Sequence, residues 1–158
     1  MDIIKYKPIG VIHSPFKDRT GIPRQAAGAP DVTAEIEIFD EYVEGLTDLD
    51  GFSHIVVIFH LHLVQKGSLK ACPPWDHKEH GVFATRSPHR PNPIGVSIVR
   101  LESIERNILK ILRVDMLDGT PVLDIKPYIP RLNPTKGVRT GWLEGKVEDM
   151  NKSKSGDR

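Results

Sequence analysis

Between Phe83 and Gly95 the chain reads FATRSPHRPNPIG, threading Arg86, His89, Arg90 and Asn92 among Pro88, Pro91 and Pro93. An arginine can fork onto a carboxylate or phosphate through paired hydrogen bonds. Two such cations, an imidazole and an amide in one short span therefore suit recognition of a polar or anionic ligand. Each proline fixes its own φ and removes a backbone donor, and each pushes the residue before it (Ser87, Arg90, Asn92) toward extended conformations. The run can be neither helix interior nor central strand. It is expected to be a stiff loop whose side chains are aimed before anything binds, which lowers the ordering cost of recognition. The plainer reading of a proline-rich stretch is a rigid surface connector, but the density of polar groups favours a site.

Three further clusters carry potential chemistry. The first is VDMLDGTPVLDIKPYIP, Val114 to Pro130. Asp118-Gly119 is a turn signal between two strand-like runs, so the backbone from Met116 through Leu117, Asp118 and Gly119 should be exposed at a strand end. Asp124, Lys126 and Tyr128 then alternate on one strand face, which also fits an ordinary polar face with a cross-strand ion pair. The second cluster, Gly21 to Gln25, sets Arg24 and Gln25 just after Pro23 in an early turn. The third is the histidines. His54, His60 and His62 share strand parity with Val56 and Ile58, so His60 and His62 would point the same way, as two metal ligands would. His77 and His80 follow in WDHKEH. No zinc-ligand spacing is present, however, and Cys72 is the only thiol. A solvated loop for His77 and His80, and a buried imidazole bonded to a carbonyl for His62, are the plainer readings.

The elements that must position these residues are mostly strands. Ala34, Ile36 and Ile38 alternate with Glu35 and Glu37, and the apolar, β-branched run His54 to Val64 reads as a central strand. Lys5–His13, Pro121–Tyr128 and Val138–Leu143 read as further strands, and Val96–Arg106 with Ile108–Met116 as a hairpin about Asn107. One short helix fits Asp40 to Leu49, ending near Gly45. With so little helix, the expected fold is mainly β, a small antiparallel barrel with short helices and long loops. Residues 1–146 would form that domain and 147–158 a flexible polar tail.

Composition narrows the function classes. At 158 residues the chain can bury a core without metal or disulfide support. Its 22 Lys and Arg nearly cancel 21 Asp and Glu, so any basic surface must be local. One cysteine, no apolar stretch of membrane-spanning length and no signal-peptide pattern point to the cytoplasm. Neither a dinucleotide-binding G-x-G-x-x-G, nor a P-loop, nor a G-x-S-x-G elbow occurs.

Taken in order, HSPF (His13–Phe16), PRQ (Pro23–Gln25), FSH (Phe52–His54), GVFATRSPHRPNPIGVS (Gly81–Ser97) and DMLDGTPVLDIKPYIP (Asp115–Pro130) resemble the TsaA-like, TrmO-type tRNA (adenine-N6)-methyltransferases. The long ATRS…RPNPIG and LDGTPVLDIKPY runs are the most specific. The chain is similar to a short, single-domain form without the C-terminal domain of bacterial members. The resemblance implies a small β-barrel that binds S-adenosylmethionine (AdoMet) without a Rossmann fold and works as a homodimer. The implied reaction is N6-methylation of threonylcarbamoyladenosine beside the anticodon of a tRNA, with no metal and no membrane involved.

By motif match, the resemblance implies an AdoMet site of Pro23, Arg24, Gln25, His62, Leu63, Arg86, Ser87, Val96, Met116, Leu117, Asp118 and Gly119. The backbone at Met116 to Gly119 would read an adenine edge, and Val96 would supply apolar wall. Asp124, Tyr128 and His62 are the candidates to accept the N6 proton, which must leave as the nitrogen is methylated. Arg90, Lys126, Arg131 and Arg139 are the candidate phosphate contacts to the anticodon loop, whose unpaired bases splay easily into a pocket. Two other readings are a nonenzymatic AdoMet or nucleotide sensor and a metal hydrolase built on His60 and His62.

Overall fold

The structure, a computed structural model, describes residues 2–18, 20–23 and 32–152. Among these, eight strands and one α-helix occur: β1 (Gly10–His13), β2 (Thr33–Ile38), β3 (His54–His60), β4 (Lys70–Ala71), β5 (His80–Gly81), β6 (Ile94–Glu105), β7 (Ile108–Leu112), β8 (Pro121–Pro127) and α1 (Val147–Lys152). Six of the strands close a barrel in the order β1-β2-β7-β6-β3-β8, and β4 pairs with β5 beside it. Every pairing among these eight strands is antiparallel. The mainly β fold expected from the alternation is the fold observed, and the closed barrel leaves no unpaired sheet edge.

Alternation fills the barrel. Ile55, Val57 and Phe59 of β3 point inward with Val99 of β6, Leu109 and Ile111 of β7, Ile36 of β2 and Ile12 of β1, all buried. Gly95 is required by one of these contacts. A side chain there would meet the Phe59 ring at 2.3 Å, so the glycine ending RPNPIG lets the ring lie flat across β6.

Several expected boundaries shift. β1 begins at Gly10 rather than Lys5, and β7 stops at Leu112 rather than Met116. β3 stops at His60 because Pro93, the next partner in register, accepts the Leu61 amide at 2.8 Å but has no N–H to return, and the His62 amide turns to the His60 carbonyl at 2.9 Å. The helix at Asp40–Leu46 is a 3-10 helix. The strand expected at 138–143 is absent: Gly141 sits at φ 59°, a left-handed conformation that no strand admits, and opens a 3-10 turn, Gly141–Leu143. Residues 147–152 of the expected tail are helical.

Candidate active site

At the end of the barrel where β3 finishes and β6 starts, the chain encloses a cavity of about 750 Å³. Its floor comes from the strand ends and from the Asp115–Leu117 segment, and its rim from the proline loop. Small-molecule sites commonly span about 300–1,000 Å³.

The proline loop is neither helix nor strand, and it is wired from within. The Thr85 hydroxyl donates to the Val82 carbonyl at 2.9 Å, and the Ser87 amide donates back to that hydroxyl at 3.3 Å. Arg90 Nη1 donates to the carbonyls of Thr85 (3.0 Å) and Ser87 (3.2 Å). These bonds aim Arg86 and Ser87 into the cavity. They also change the reading of Arg90: one of its nitrogens is a clamp on its own loop rather than a phosphate contact.

Pro23, His62, Leu63 and Val96 line the cavity together with Arg86 and Ser87. Met116 and Leu117 do so as well, whereas Asp118 and Gly119 do not. The turn that carries the last two is fastened to the neighbouring strand. The Asp118 and Gly119 amides donate to the carbonyls of Phe16 and Ile12, both at 2.8 Å. The Asp118 carboxylate accepts the Ser14 amide at 2.9 Å and pairs with Lys17 at 2.9 Å. The Lys17 ammonium, then the Ser14 amide, hold the Asp118 carboxyl below its ordinary range. Met116 and Leu117 keep their backbone along the cavity, with the Met116 carbonyl accepting the Ser14 hydroxyl at 2.8 Å. Arg24 and Gln25 lie outside the described residues.

His62 leaves the outward stripe of β3 histidines because the strand ends before it. Its Nδ1 lies 3.5 Å from the buried Thr120 hydroxyl. Burial first, and the neighbouring His60 second, lower its pKa, so the imidazole is neutral at pH 7 and able to accept a proton. Among the described residues no three His, Cys, Asp or Glu side chains gather into a group that could hold a metal ion. His80 is not the solvated loop residue expected: its Nε2 lies 2.9 Å from the buried Asp76 carboxylate, and its ring stacks on Trp142.

Asp124 and Tyr128 do not reach the cavity of their own chain. Asp124 is paired with Ile58, an outward position of β3, and its carboxylate is held by Lys126 at 2.6 Å. Tyr128 lies at the far end of β3, where its amide donates to the His54 carbonyl at 3.1 Å. Arg131 and Arg139 are exposed and outside the cavity lining.

Two lining groups had no place among the sequence candidates. Asp115 faces the cavity, and Ser97, buried on β6, donates its hydroxyl to the carboxylate at 2.6 Å. From the other side Trp142, Leu143 and Met150 close the wall. The run containing Asp115 was visible as a motif, but nothing local marks the C-terminal residues. The cavity lining thus holds a guanidinium at Arg86 and a carboxylate at Asp115 together with the apolar side chains of Leu63, Val96 and Met116. Such a set suits a zwitterionic ligand with an apolar body.

The family described as the tRNA-methyltransferase O N-terminal domain matches residues 11–133. The chain belongs to that family. It is 49% identical over 156 residues to a probable S-adenosyl-L-methionine-binding protein of Pyrococcus abyssi, covering 99% of this chain and 85% of the relative. It is 38% identical over 140 residues to the tRNA (adenine(37)-N6)-methyltransferase of Escherichia coli, covering 82% of this chain and 60% of that enzyme. A crystal structure of TrmO from Pseudomonas aeruginosa superposes with a TM-score of 0.74 at 39% identity, over 89% of this chain and 63% of that one. This TrmO-family chain therefore spans about three fifths of both of those proteins.

Proposed function

We propose that this chain is an AdoMet-dependent methyltransferase acting on N6 of a tRNA adenine, in particular the threonylcarbamoyladenosine beside the anticodon. The observation that carries this reading is a cavity whose lining joins Arg86 and Asp115 with apolar side chains. AdoMet presents an α-carboxylate, an ammonium and ribose hydroxyls, a sulfonium and an adenine, and the donor set fits these groups. Arg86 with Ser87 would take the carboxylate, and Asp115, fixed by Ser97, the ammonium or ribose hydroxyls. Leu63, Val96 and Met116 would hold apolar parts, with Pro23 at one side.

When bound, AdoMet supplies an activated methyl group for in-line displacement. What remains for the protein is alignment, which in favourable systems lowers a barrier by about 7–11 kcal/mol. The residue best placed to receive the N6 proton is His62, since it is neutral and lines the cavity.

The active unit in this reading is a homodimer. On the outer face of the barrel, Val56 and Ile58 of β3 lie beside Ile98 and Val96 of β6, with Ile94 next along. Ile94, Val96 and Ile98 are 40–54% exposed, a contiguous apolar face of the kind that marks an interface. Ile94 and Val96 also line the cavity, so whatever covers the face extends the cavity wall. Across the sheet, Asp124, Ile58 and Val96 form one row, which puts Asp124 about 10 Å from the cavity wall at ordinary strand spacing. A second copy packed about a two-fold axis on this face would bring its Asp124 and Tyr128 toward that wall. Lys126, Arg131 and Arg139 would then contribute phosphate contacts from both copies. No helix among the described residues is long and apolar enough to cross a membrane.

Transfer of label from methyl-labelled AdoMet to tRNA tests the reading. Incorporation supports the enzyme. Binding of AdoMet without incorporation into modified or unmodified tRNA would leave the sensor in its place.

A further inference from the structure

The C-terminal segment that closes the cavity lies beyond the part of the chain matched by the family, which ends at residue 133. Its attachment differs on its two sides. Toward the cavity it presents Leu143 and Met150, which are apolar, together with Trp142. On its other contacts it is latched by polar groups. The Trp142 indole N–H donates to the Ala84 carbonyl at 2.7 Å, and its ring stacks on His80 with centroids 3.9 Å apart at an angle of 17°. Four residues on, Lys146 Nζ lies 3.2 Å from the Asp76 carboxylate oxygen that His80 Nε2 also meets at 2.9 Å. One buried carboxylate thus joins the segment, β5 and the 72–76 loop.

We propose that Gly141–Lys152 is a strap over the methyl-donor pocket, and that Trp142 is a positioning residue that holds the Arg86 loop in its binding geometry. This rests on the reading of the cavity as the AdoMet site. Ala84 closes the 3-10 turn Val82–Ala84, and the next two residues are Thr85 and Arg86. A bond on the Ala84 carbonyl therefore acts at the root of the loop. The internal bonds of Thr85 and Arg90 carry that constraint to Arg86 and Ser87. The latch suits a part that opens. It consists of one hydrogen bond, one ring stack and one ion pair in which Lys146 is 40% exposed, each modest in energy. Leu143 and Met150, by contrast, gain contacts when a ligand fills the cavity. The strap accordingly opens for exchange and is drawn shut by the bound donor.

The test is stopped-flow release of AdoMet from the full-length chain and from Trp142→Ala, Trp142→Phe and Lys146→Ala variants. Amide hydrogen exchange is followed in parallel without ligand. Loss of Trp142 is expected to speed release by about tenfold, consistent with one lost hydrogen bond and one lost ring stack. Phe, which keeps the stack and loses the N–H, should fall between. KM for AdoMet should rise while KM for tRNA stays nearly constant. Exchange should quicken in residues 82–90 while the β3 and β6 core stays protected, which separates a loosened loop from a damaged fold. Wild-type release rates and wild-type exchange at 82–90 in both Trp142→Ala and Lys146→Ala would overturn the proposal. If the unaltered chain binds no AdoMet, the reading of the cavity fails, and exchange at 82–90 alone decides whether the strap holds the loop.

Discussion

Ser97 and Asp115 are joined by a 2.6 Å hydrogen bond from hydroxyl to carboxylate on the floor of the cavity. The serine lies on an inward position of β6 and is only 4% exposed, so its hydroxyl fixes the orientation of a carboxylate in the cavity lining. Asp115→Asn is therefore expected to weaken AdoMet binding about tenfold or more, the cost of losing a charge-assisted bond. Ser97→Ala, which leaves the charge but frees its orientation, should cost less. Titration calorimetry orders the two, and the reverse order would place Asp115 outside the donor contacts.

Arg86 lines the same cavity from the loop. Its replacement by alanine should also lower AdoMet affinity by tenfold or more, since a lost charge-assisted pair costs about 1.5–3 kcal/mol. A folded Arg86→Ala chain with unchanged affinity would remove this residue from the donor pocket.

The sign of the pH response follows from His62. Its lowered pKa means that the neutral base persists into mild acid, and that protonation, when it comes, removes the acceptor. Turnover should be flat near neutrality and fall as the pH drops through a value below about 6.5. His62→Gln should lower the plateau and abolish that acid limb. An acid limb unchanged in this variant would assign it to another group.

How much of this was legible in the chain varies with the range of the interaction involved. Alternation in Ala34–Ile38 and Ile55–Phe59 sets inward and outward faces by itself, so the barrel was readable. The same alternation overran at His62, since Leu61 and Leu63 look alike in a strand or a turn. What ends β3 is Pro93, distant in sequence, which has no N–H to continue the ladder. The proline loop was readable because prolines act locally. The position of Asp118 outside the cavity lining was not readable, for the opposite reason: Ser14 and Lys17, remote in sequence, take its carboxylate. Trp142 reaches Ala84 across 58 residues, and no spacing rule announces such a contact.

The outer face of β3 and β6 makes the oligomer testable by one residue. Ile98 is 43% exposed, lies next to Val56 and is not in the cavity lining. Ile98→Glu should convert a dimer to a monomer in sedimentation and remove most of the turnover on tRNA. A wild-type chain that sediments as a monomer with full turnover would contradict the dimer.

Methylation of an adenine in tRNA is read out by mass spectrometry of nucleosides from tRNA treated with the protein and AdoMet. Threonylcarbamoyladenosine is expected to gain one methyl group on N6, and the gain should be lost in Arg86→Ala. If no adenosine derivative gains a methyl mass, in modified or unmodified tRNA, from a protein that binds AdoMet, the methyltransferase assignment is contradicted.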